Sequence, residues 1–511
     1  MELNTYLGQK GYTIHKNELT IEQQKKIKND LTVKPFVMGS PMNDNQKTFS
    51  AYRESSNKIY VPHFYGVENY GKPKQYKISE GSNITLEFDG KLRENQEVVV
   101  NTYIEHVNKV GFGGGLLELP CAYGKTVIAL NIISRLKKKT FIIVHKEFLM
   151  NQWIERIQQF LPKARIGKIQ GQIIDVDDKD IVIGMLQSLS MKEYPSAIFE
   201  SFGLTIIDEV HHISSEVFSN SLFKLVTKYM LGLSATMNRK DGTTKVFKMF
   251  IGDVVFKGKR DEEMSVVVHA IKYEINDVEF NETKLDYRGN PAYSSMISKL
   301  CEYNRRSEFI LTVLSDMLSK NPNQQVMILA HNKNVLKYLH DAIAHRNIAT
   351  VGYYVGGMKE TALKETEGKK IVIATYSMAA EALDIKTLTT LIMATPKTDI
   401  EQSVGRILRE KHSSPVVVDI IDSHTLFQNQ WRKRKIFYKK ENYKIIYTES
   451  TNYTPDTSKW LLVFNPKIVI AKGCVKSPNK NISTDSDEEE NDTTQPKDKY
   501  LPGKCLLKFK K

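Results

Sequence analysis

Short, largely apolar runs recur through the middle of the chain, and they constrain its fold more than any other feature. Amphipathic or charged stretches separate them, such as Val127–Leu136 and Phe148–Phe160. Strands that are apolar on both faces, alternating with helices, indicate a parallel sheet covered on each side. Because the runs form two series, we expect two successive α/β domains. The first series is Leu116–Leu119, Phe141–Val144, Ile181–Leu186, Leu204–Ile207 and Met230–Leu233, and the second is Val326–Leu329, Ile371–Ala374, Leu391–Ala394 and Val416–Ile421.

Polar and low-complexity stretches set the expected domain limits. A polar stretch from about residue 257 to residue 293 separates the two series, whereas Tyr60–Tyr65 is aromatic-rich and precedes the α/β pattern. The acidic run Ser483–Asp492 cannot bury enough apolar surface to fold alone, which predicts a partly disordered tail. The predicted segments are a small N-terminal α+β accessory domain (1–88), two α/β domains (89–256 and 257–450) and a C-terminal extension (451–511).

Composition and charge exclude several classes of protein. Hydrophobic residues make up 41% of the 511 residues and charged residues 26%, which argues against wholesale disorder. No apolar run approaches the ~18–20 residues of a membrane span, and no secretory signal is visible. The four cysteines form no CxxC pair, which favours a reducing, intracellular location without a disulfide framework. The 73 Lys and Arg against 59 Asp and Glu give +14, which is compatible with a polyanionic partner.

The first candidate site follows the strand Leu116–Leu119 and reads PCAYGKT. A compact loop between a strand and a helix N-terminus aims backbone N–H groups at an anion. Lys125 would then neutralise phosphate charge, and the Thr126 hydroxyl would bind Mg²⁺. Leu119 stands where the full pattern has glycine, so a chance GKT remains the alternative. The predicted ATP-binding residues of this loop are Leu119, Pro120, Cys121, Ala122, Tyr123, Gly124, Lys125 and Thr126.

The second candidate site is the acidic end of the run Leu204–Ile207, where Asp208, Glu209 and His211 follow. Ligands of α/β sheets bind beyond the carboxyl ends of the strands. Asp208 is therefore predicted to hold Mg²⁺ and Glu209 to orient and deprotonate a water. The alternative is a surface turn with two solvated acids. The pair His211-His212 has no neighbouring His/Cys cluster, which argues against zinc.

Together these motifs resemble those of superfamily 2 helicases, which have two tandem RecA-like domains. PCAYGKT, DEVH and Ser234-Ala235-Thr236 resemble motifs I to III, and TYS with ALD resembles motif V. QSVGRILR, starting at Gln402, is similar to motif VI. LPC before GKT, LGLSATMNRKDG and LRENQ look closest to the XPB-type branch, which includes the phage UvsW helicase and poxvirus transcript-release helicases. Ala122 and Ala382 depart from the family by replacing glycines.

The resemblance implies roles for further residues. Adenine recognition falls to Gln96, with Arg93 beside it in the ATP site. Gln402, Arg406 and Arg409 would act in catalysis, with the two arginines reaching the triphosphate as arginine fingers. A surface salt bridge is the alternative for Arg406. Coupling between ATP and nucleic acid would involve His211, Ser234, Ala235, Thr236, Arg239, Asp241 and Asp384, of which Asp384 also belongs to the ATP site.

Residues 431–440, WRKRKIFYKK, mix basic and aromatic side chains. Phosphate contacts and base stacking both require such a mixture, which makes Arg432, Lys433, Arg434 and Lys435 candidates for nucleic-acid binding. A solvated amphipathic helix that packs its aromatic residues inward explains the pattern equally well.

The predicted activity is that of a monomeric, nucleic-acid-dependent ATP hydrolase, a helicase or translocase. The resemblance implies 3′ to 5′ movement, and DNA is the expected polymer. An RNA helicase is the first alternative, and a non-catalytic nucleic-acid-binding scaffold is the second. A role in viral transcript release or in recombination would bring RNA polymerase or replication machinery as partners. A viral protein of this kind would work in cytoplasmic virus factories and virions, without a membrane.

Overall fold

The computed structural model describes residues 3–35, 48–120, 122–212, 215–236, 242–258, 266–381, 383, 385–410, 412 and 414–466. The predictions for the acidic tail and for Cys121, Arg239, Asp241, Ala382 and Asp384 lie outside these residues. None of the described helices combines the length and apolar composition that a membrane span requires.

The N-terminal part contains a five-stranded sheet and two helices. Its elements are β1 (Thr5–Gly8), β2 (Gly11–His15), α1 (Ile21–Asp30), β3 (Thr32–Val33), β4 (Phe49–Ser50), β5 (Arg53–Glu54), β6 (Lys58–Val61), α2 (His63–Tyr70) and β7 (Gln75–Tyr76). The strand order is β5-β6-β2-β1-β7, with only β1 and β7 parallel, and β3 pairs with β4 separately. Thr20 caps the N-terminus of α1 with a capping box. Its hydroxyl accepts the Gln23 N–H, and the Gln23 side chain accepts the Thr20 N–H.

The first α/β sheet has eight strands in the order β11-β10-β12-β9-β13-β14-β8-β15, all parallel except the edge strand β11. Helices connect most of the parallel strands, as is usual for crossover connections. Its elements are α3 (Glu94–Val110), β8 (Gly113–Glu118), α4 (Lys125–Leu136), β9 (Thr140–Val144), α5 (Glu147–Phe160), β10 (Ile166–Gln170), β11 (Ile173–Ile174), β12 (Ile181–Met185), α6 (Leu186–Met191), β13 (Leu204–Ile207), α7 (Ser215–Leu222), β14 (Tyr229–Ser234), α8 (Thr244–Ile251) and β15 (Val254–Lys257).

The second α/β sheet also has eight strands, in the order β18-β19-β17-β20-β21-β16-β22-β23, and only β23 is antiparallel. The two sheets confirm the predicted tandem α/β architecture of RecA-like domains. The elements are β16 (Val267–Tyr273), α9 (Val278–Asn281), α10 (Tyr293–Glu302), α11 (Asn304–Lys320), β17 (Gln325–Ala330), α12 (Lys333–His345), β18 (Val351–Tyr354), α13 (Glu360–Glu367), β19 (Ile371–Thr375), α14 (Tyr376–Glu381), β20 (Leu388–Met393), α15 (Glu401–Val404), β21 (Val416–Asp422), α16 (Thr425–Lys440), β22 (Lys444–Glu449) and β23 (Leu461–Phe464).

The strands of the first α/β sheet supply side chains to two separate cores. Successive residues of a strand point to opposite faces. In β9, Ile142 and Val144 pack with helices α3, α4 and α5, whereas Phe141 and Ile143 pack on the other face. That second core also contains Leu7 and other buried residues of the N-terminal sheet. The N-terminal sheet has the strands that its aromatic-rich sequence predicts, but it shares a hydrophobic core with its neighbour instead of standing apart.

Three elements differ from the sequence prediction. β16 lies inside the stretch 257–293, which was expected to be a polar separator. The sequence pattern did not reveal this strand because its apolar run is short and has polar flanks. β8 begins at Gly113, three residues before the run Leu116–Leu119 that predicted it, and a Cβ at Gly114 would lie 2.3 Å from the Ile251 carbonyl oxygen, so close packing selects glycine there. The second sheet continues to Phe464, beyond the predicted limit at 450. The other predicted segment limits stay predictions.

Candidate functional site

The predicted phosphate-binding loop joins β8 to α4, as the sequence indicates. Lys125 is the first residue of α4 and Gly124 precedes it with φ +89°. A Cβ at Gly124 would lie 2.3 Å from the Gln96 amide nitrogen, so only glycine fits there. Ala122 has φ +66°, a left-handed conformation that glycine adopts more easily, at the position where the family has glycine. Thr126 follows in the first turn of α4, half-buried.

Two side chains from the start of α3 hold this loop. Arg93 Nη2 donates to the Tyr123 carbonyl oxygen at 2.6 Å, and Gln96 Nε2 donates to the same oxygen at 2.9 Å. The other end of the Gln96 amide accepts the Arg93 backbone N–H at 3.0 Å. The structure therefore places both residues against the predicted phosphate-binding loop, and adenine recognition by Gln96 stays a prediction.

The acidic site lies at the carboxyl end of β13, a strand whose four residues are all buried. Glu209 has φ +47°, a conformation that costs a non-glycine residue about 1–3 kcal/mol and that tends to occur where function requires it. Its carboxylate Oε1 lies 2.6 Å from Lys125 Nζ. The two predicted motifs therefore meet, and the alternative of a solvated surface turn is wrong for these acids.

Asp208 is the buried member of the pair, at 7% exposure. Its Oδ1 accepts the Glu209 backbone N–H at 2.9 Å, and its Oδ2 accepts the Trp153 indole N–H at 2.8 Å. Burial and the Glu209 carboxylate raise the pKa of Asp208 to about 6, against the opposing effect of Lys125. Two carboxylates crowded in this way favour binding of a cation.

His211 connects the acidic site to the second α/β sheet. Its Nδ1 lies 3.4 Å from Glu209 Oε2 and 2.8 Å from Ser234 Oγ, and its Nε2 lies 2.9 Å from the Gln402 amide nitrogen. Because that amide group donates, Nε2 of a neutral His211 accepts and the ring proton sits on Nδ1. Ser234 Oγ can accept a hydrogen bond from this N–H because its own hydroxyl donates to the Thr236 carbonyl oxygen at 2.5 Å.

Motif VI forms α15 and the 3₁₀ turn that follows it. Arg406 is 9% exposed. Its Nη1 donates to the carbonyl oxygen of Leu383, in the same α/β domain, at 2.8 Å. This burial does not fit a salt bridge on an open surface for Arg406. Arg409 follows the turn and is half-buried. Contact of either guanidinium with a triphosphate stays a prediction.

The remaining predicted positions of the loop and of motif III are buried or half-buried. Leu119 and Tyr123 are buried in the core of the first sheet, Ala235 is buried at the end of β14, and Pro120 is half-buried.

The basic run on α16 is divided between solvent and core. Arg432 and Lys433 are exposed and Lys435 is half-buried, but Arg434 is fully buried. Both ends of its guanidinium bind Asp419, at 2.7 and 2.8 Å. The prediction that Arg434 binds nucleic acid is therefore wrong, because its donors are used inside the second sheet. Trp431 and Tyr438 are buried, as the amphipathic alternative expects.

Trp153 is the site residue that sequence reasoning missed. It belongs to the predicted helix Phe148–Phe160, whose apolar residues indicated only core packing. A buried indole N–H usually donates a hydrogen bond, so the tryptophan itself indicated that an acceptor lies nearby. The sequence does not identify that acceptor.

The comparisons with known proteins agree with this geometry. Residues 89–239 match the family described as "Type III restriction enzyme, res subunit", and residues 310–411 match "Helicase conserved C-terminal domain". A protein of Acanthamoeba polyphaga mimivirus, provisionally named ATP-dependent RNA helicase L396, is 35% identical over 459 residues, 87% of this chain and 86% of the relative.

Two further viral relatives are more distant. An African swine fever virus protein, provisionally named ATP-dependent RNA helicase QP509L, is 26% identical over 72% of this chain and 76% of its own length. Helicase 161L of Invertebrate iridescent virus 6, also a provisional name, is 26% identical over 84% of this chain and 99% of its own length.

Fold, site and family matches together define an ATP-hydrolysing helicase that binds nucleic acid. The chain belongs to the superfamily 2 helicases, among the ATP-dependent helicases of large DNA viruses. The non-catalytic scaffold is therefore excluded.

Proposed function

We propose that ATP binds at the β8–α4 loop with Mg²⁺ held by Thr126 and Asp208. This donor set fits the ion, because Mg²⁺ takes one or two protein oxygens and fills its remaining positions with water and substrate phosphate. Among the described residues, each Asp208 oxygen has one hydrogen-bond donor, which leaves a lone pair on each for a cation. When bound, Mg²⁺ neutralises charge on the phosphate oxygens.

The residues of this chain then divide the work of hydrolysis. Glu209 orients the attacking water and accepts its proton, while Lys125 neutralises charge on the γ-phosphate. The 2.6 Å contact between these two side chains supports the assignment, because both must reach the same phosphate. Arg406 and Arg409 would add positive charge from the second sheet when the two sheets close on ATP.

The observation that carries the motor function is the contact of Gln402 with His211 at 2.9 Å. It joins motif VI to the Glu209 site across the two sheets, so the state of the nucleotide can bias how the sheets contact each other. A nucleic-acid strand held by both sheets would then move with each cycle.

For the substrate, we propose 3′ to 5′ movement along DNA, coupled to strand separation or transcript release. The motif resemblance to the XPB-type branch and the net charge of +14 support this choice. Arg432, Lys433 and Lys435 are the proposed phosphate contacts on α16.

An RNA helicase is the second candidate, and the names of the mimivirus and African swine fever virus relatives favour it. The motor core of such proteins contacts mainly the backbone, which DNA and RNA share.

Stimulation of ATP hydrolysis by single-stranded DNA or RNA separates the two candidates, and duplexes with a 3′ or a 5′ tail test the direction. We expect stronger stimulation by DNA and unwinding only from a 3′ tail.

Lys125→Ala should abolish ATP turnover. Lys163→Ala is the control, because that side chain is 78% exposed in the same α/β domain, and it should leave turnover unchanged. Preference for RNA would overturn the DNA assignment, and turnover by Lys125→Ala would overturn the nucleotide site.

A further inference from the structure

Helix α5 contacts the ATP site and the second α/β sheet at the same time. Trp153, in the middle of α5, is 2% exposed and donates its indole N–H to Asp208. Phe148, at the start of α5, packs against the hydrophobic cores of both α/β sheets. Glu155, further along α5, places Oε1 3.4 Å from Nζ of Lys364 on α13. One rigid element therefore links the Asp208 carboxylate to the contact between the sheets.

The indole hydrogen bond fixes a torsion that is otherwise soft. The last side-chain torsion of aspartate has a broad preference, so hydrogen bonds must set the plane of the carboxylate. Trp153 fixes Oδ2 at 2.8 Å, and the Glu209 N–H fixes Oδ1 at 2.9 Å. Only the first of these donors is a side chain, and it comes from a helix that also touches the other sheet.

We propose that Trp153 is a positioning residue for Asp208 and that α5 makes the orientation of this carboxylate depend on contact between the two α/β sheets. The inference rests on the proposed role of Asp208 in holding Mg²⁺. Groups that orient a metal-binding side chain typically change metal affinity or activity 10–100-fold when they are removed.

The chain offers a matched control for the loss of one indole N–H. Trp460 is 7% exposed, and its Nε1 donates to the Thr454 carbonyl oxygen at 3.0 Å, within the second α/β sheet. Trp153→Phe and Trp460→Phe both keep an aromatic ring in the core and remove one hydrogen bond. Only the first substitution affects Asp208.

The test is the Mg²⁺ dependence with which the full chain binds a fluorescent, non-hydrolysable ATP analogue. We expect the half-saturating Mg²⁺ concentration to rise about 10-fold in Trp153→Phe and to stay at the wild-type value in Trp460→Phe. Binding of the analogue in excess EDTA should be equal in all three proteins. A wild-type Mg²⁺ dependence in Trp153→Phe would overturn the inference.

Asp208→Asn separates this inference from the function on which it rests. If Asp208→Asn shifts the Mg²⁺ dependence and Trp153→Phe adds nothing to it, the indole acts through the carboxylate. A shift in Asp208→Asn alone overturns only the role of Trp153. No shift in Asp208→Asn overturns the proposed metal role and the inference together.

A second measurement keeps the proposal testable if Trp153→Phe does not fold. The chain has three tryptophans, so Trp431→Phe combined with Trp460→Phe leaves Trp153 as the sole indole. Its fluorescence should change when Mg²⁺ and the analogue bind together, and less when the analogue binds in EDTA. Equal spectra in the two conditions would overturn the proposal.

Discussion

Arg432 and Arg434 lie two positions apart on α16, yet they have opposite environments. Arg432 is exposed, whereas Arg434 is fully buried against Asp419, whose Oδ2 also accepts the Tyr438 hydroxyl at 2.9 Å. A second buried ion pair joins Arg306 of α11 to Asp422, with Nε 2.6 Å from Oδ1. Because both acids belong to β21, these pairs fix α16 and α11 to that strand.

Arg434→Ala should destabilise the protein by about 3–5 kcal/mol, since it leaves the buried Asp419 carboxylate without its guanidinium. Denaturant unfolding followed by circular dichroism measures this loss. Arg432→Ala, the control on the same helix, should keep full stability and weaken nucleic-acid binding regardless of sequence. Unchanged stability in Arg434→Ala would contradict the structural role.

His211→Ala should lower nucleic-acid-stimulated ATP turnover about 10-fold, a typical size for coupling between two sites. Gln402→Ala should give a similar loss, and the double variant should lose little more, because both side chains form one contact. Steady-state kinetics with and without single-stranded DNA measures the effect. Gln428→Ala, which removes a hydrogen bond to the Asp422 carbonyl oxygen, is the control. Fully additive losses would show that the contact does not couple the sheets.

At the scale of single residues, the sequence predicts those site residues whose place in the fold follows from the neighbouring strand. Lys125, Asp208 and Glu209 follow strand ends, so their proximity follows from the parallel sheet. Arg434 and Trp153 are different, because their partners lie 15 and 55 residues away along the chain. Only the packing of the helix shows which of its faces is buried.

At the scale of elements, α5 and α13 form an exposed contact between the two α/β sheets. The Glu155–Lys364 pair crosses between them, and Glu360 binds the same lysine at 3.3 Å from within α13. An exposed pair contributes about 0.2–1 kcal/mol and is weakened by salt.

Glu155→Lys should weaken binding of Mg²⁺ with the ATP analogue by up to about 5-fold, because like charges then oppose contact between α5 and α13. Adding Lys364→Glu should restore binding, and 1 M salt should remove the difference. Glu360→Lys serves as the control, since it perturbs the same lysine inside one helix. Equal weakening by Glu155→Lys and Glu360→Lys would show that contact between the sheets is not responsible. Fluorescence titration provides the affinities.

Strands that are buried on both faces were predictable from their apolar runs, whereas edge strands and strands with polar flanks or glycines were not. The strand over Leu204–Ile207 matches its predicted limits. β23 is different, since Leu461 and Leu462 are exposed at a sheet edge and the strand forms only because β22 offers it a partner. The glycines of β8 have no strand preference of their own, and close approach of Ile251 in α8 to Gly114 and of Val255 in β15 to Gly115 selects glycine at these two positions.

At the scale of the whole molecule, the N-terminal sheet and the first α/β sheet share one hydrophobic core. Leu7, Ile14 and Ile59 from the N-terminal sheet are buried with Phe141 and Phe250 of its neighbour. The buried residues in the two cores of the second sheet all lie between 266 and 460.

A chain that lacks residues 1–88 should therefore expose an apolar face of the first α/β sheet. Each large side chain returned to water costs about 1.5–3 kcal/mol, so we expect the Tm to fall by about 10 °C or more, with aggregation. A chain that ends at Pro466 is the control, because it keeps every residue of the described cores. Differential scanning fluorimetry measures both chains. A shortened protein that keeps the wild-type Tm would show that the shared core contributes little.

The shared core also has a consequence for relative motion within the enzyme. Because the N-terminal sheet and the first α/β sheet share buried residues such as Leu7 and Phe141, we expect them to move as one body in any motion between the two α/β sheets. In the proposed motor cycle, the N-terminal sheet would therefore keep a fixed position relative to the β8–α4 loop.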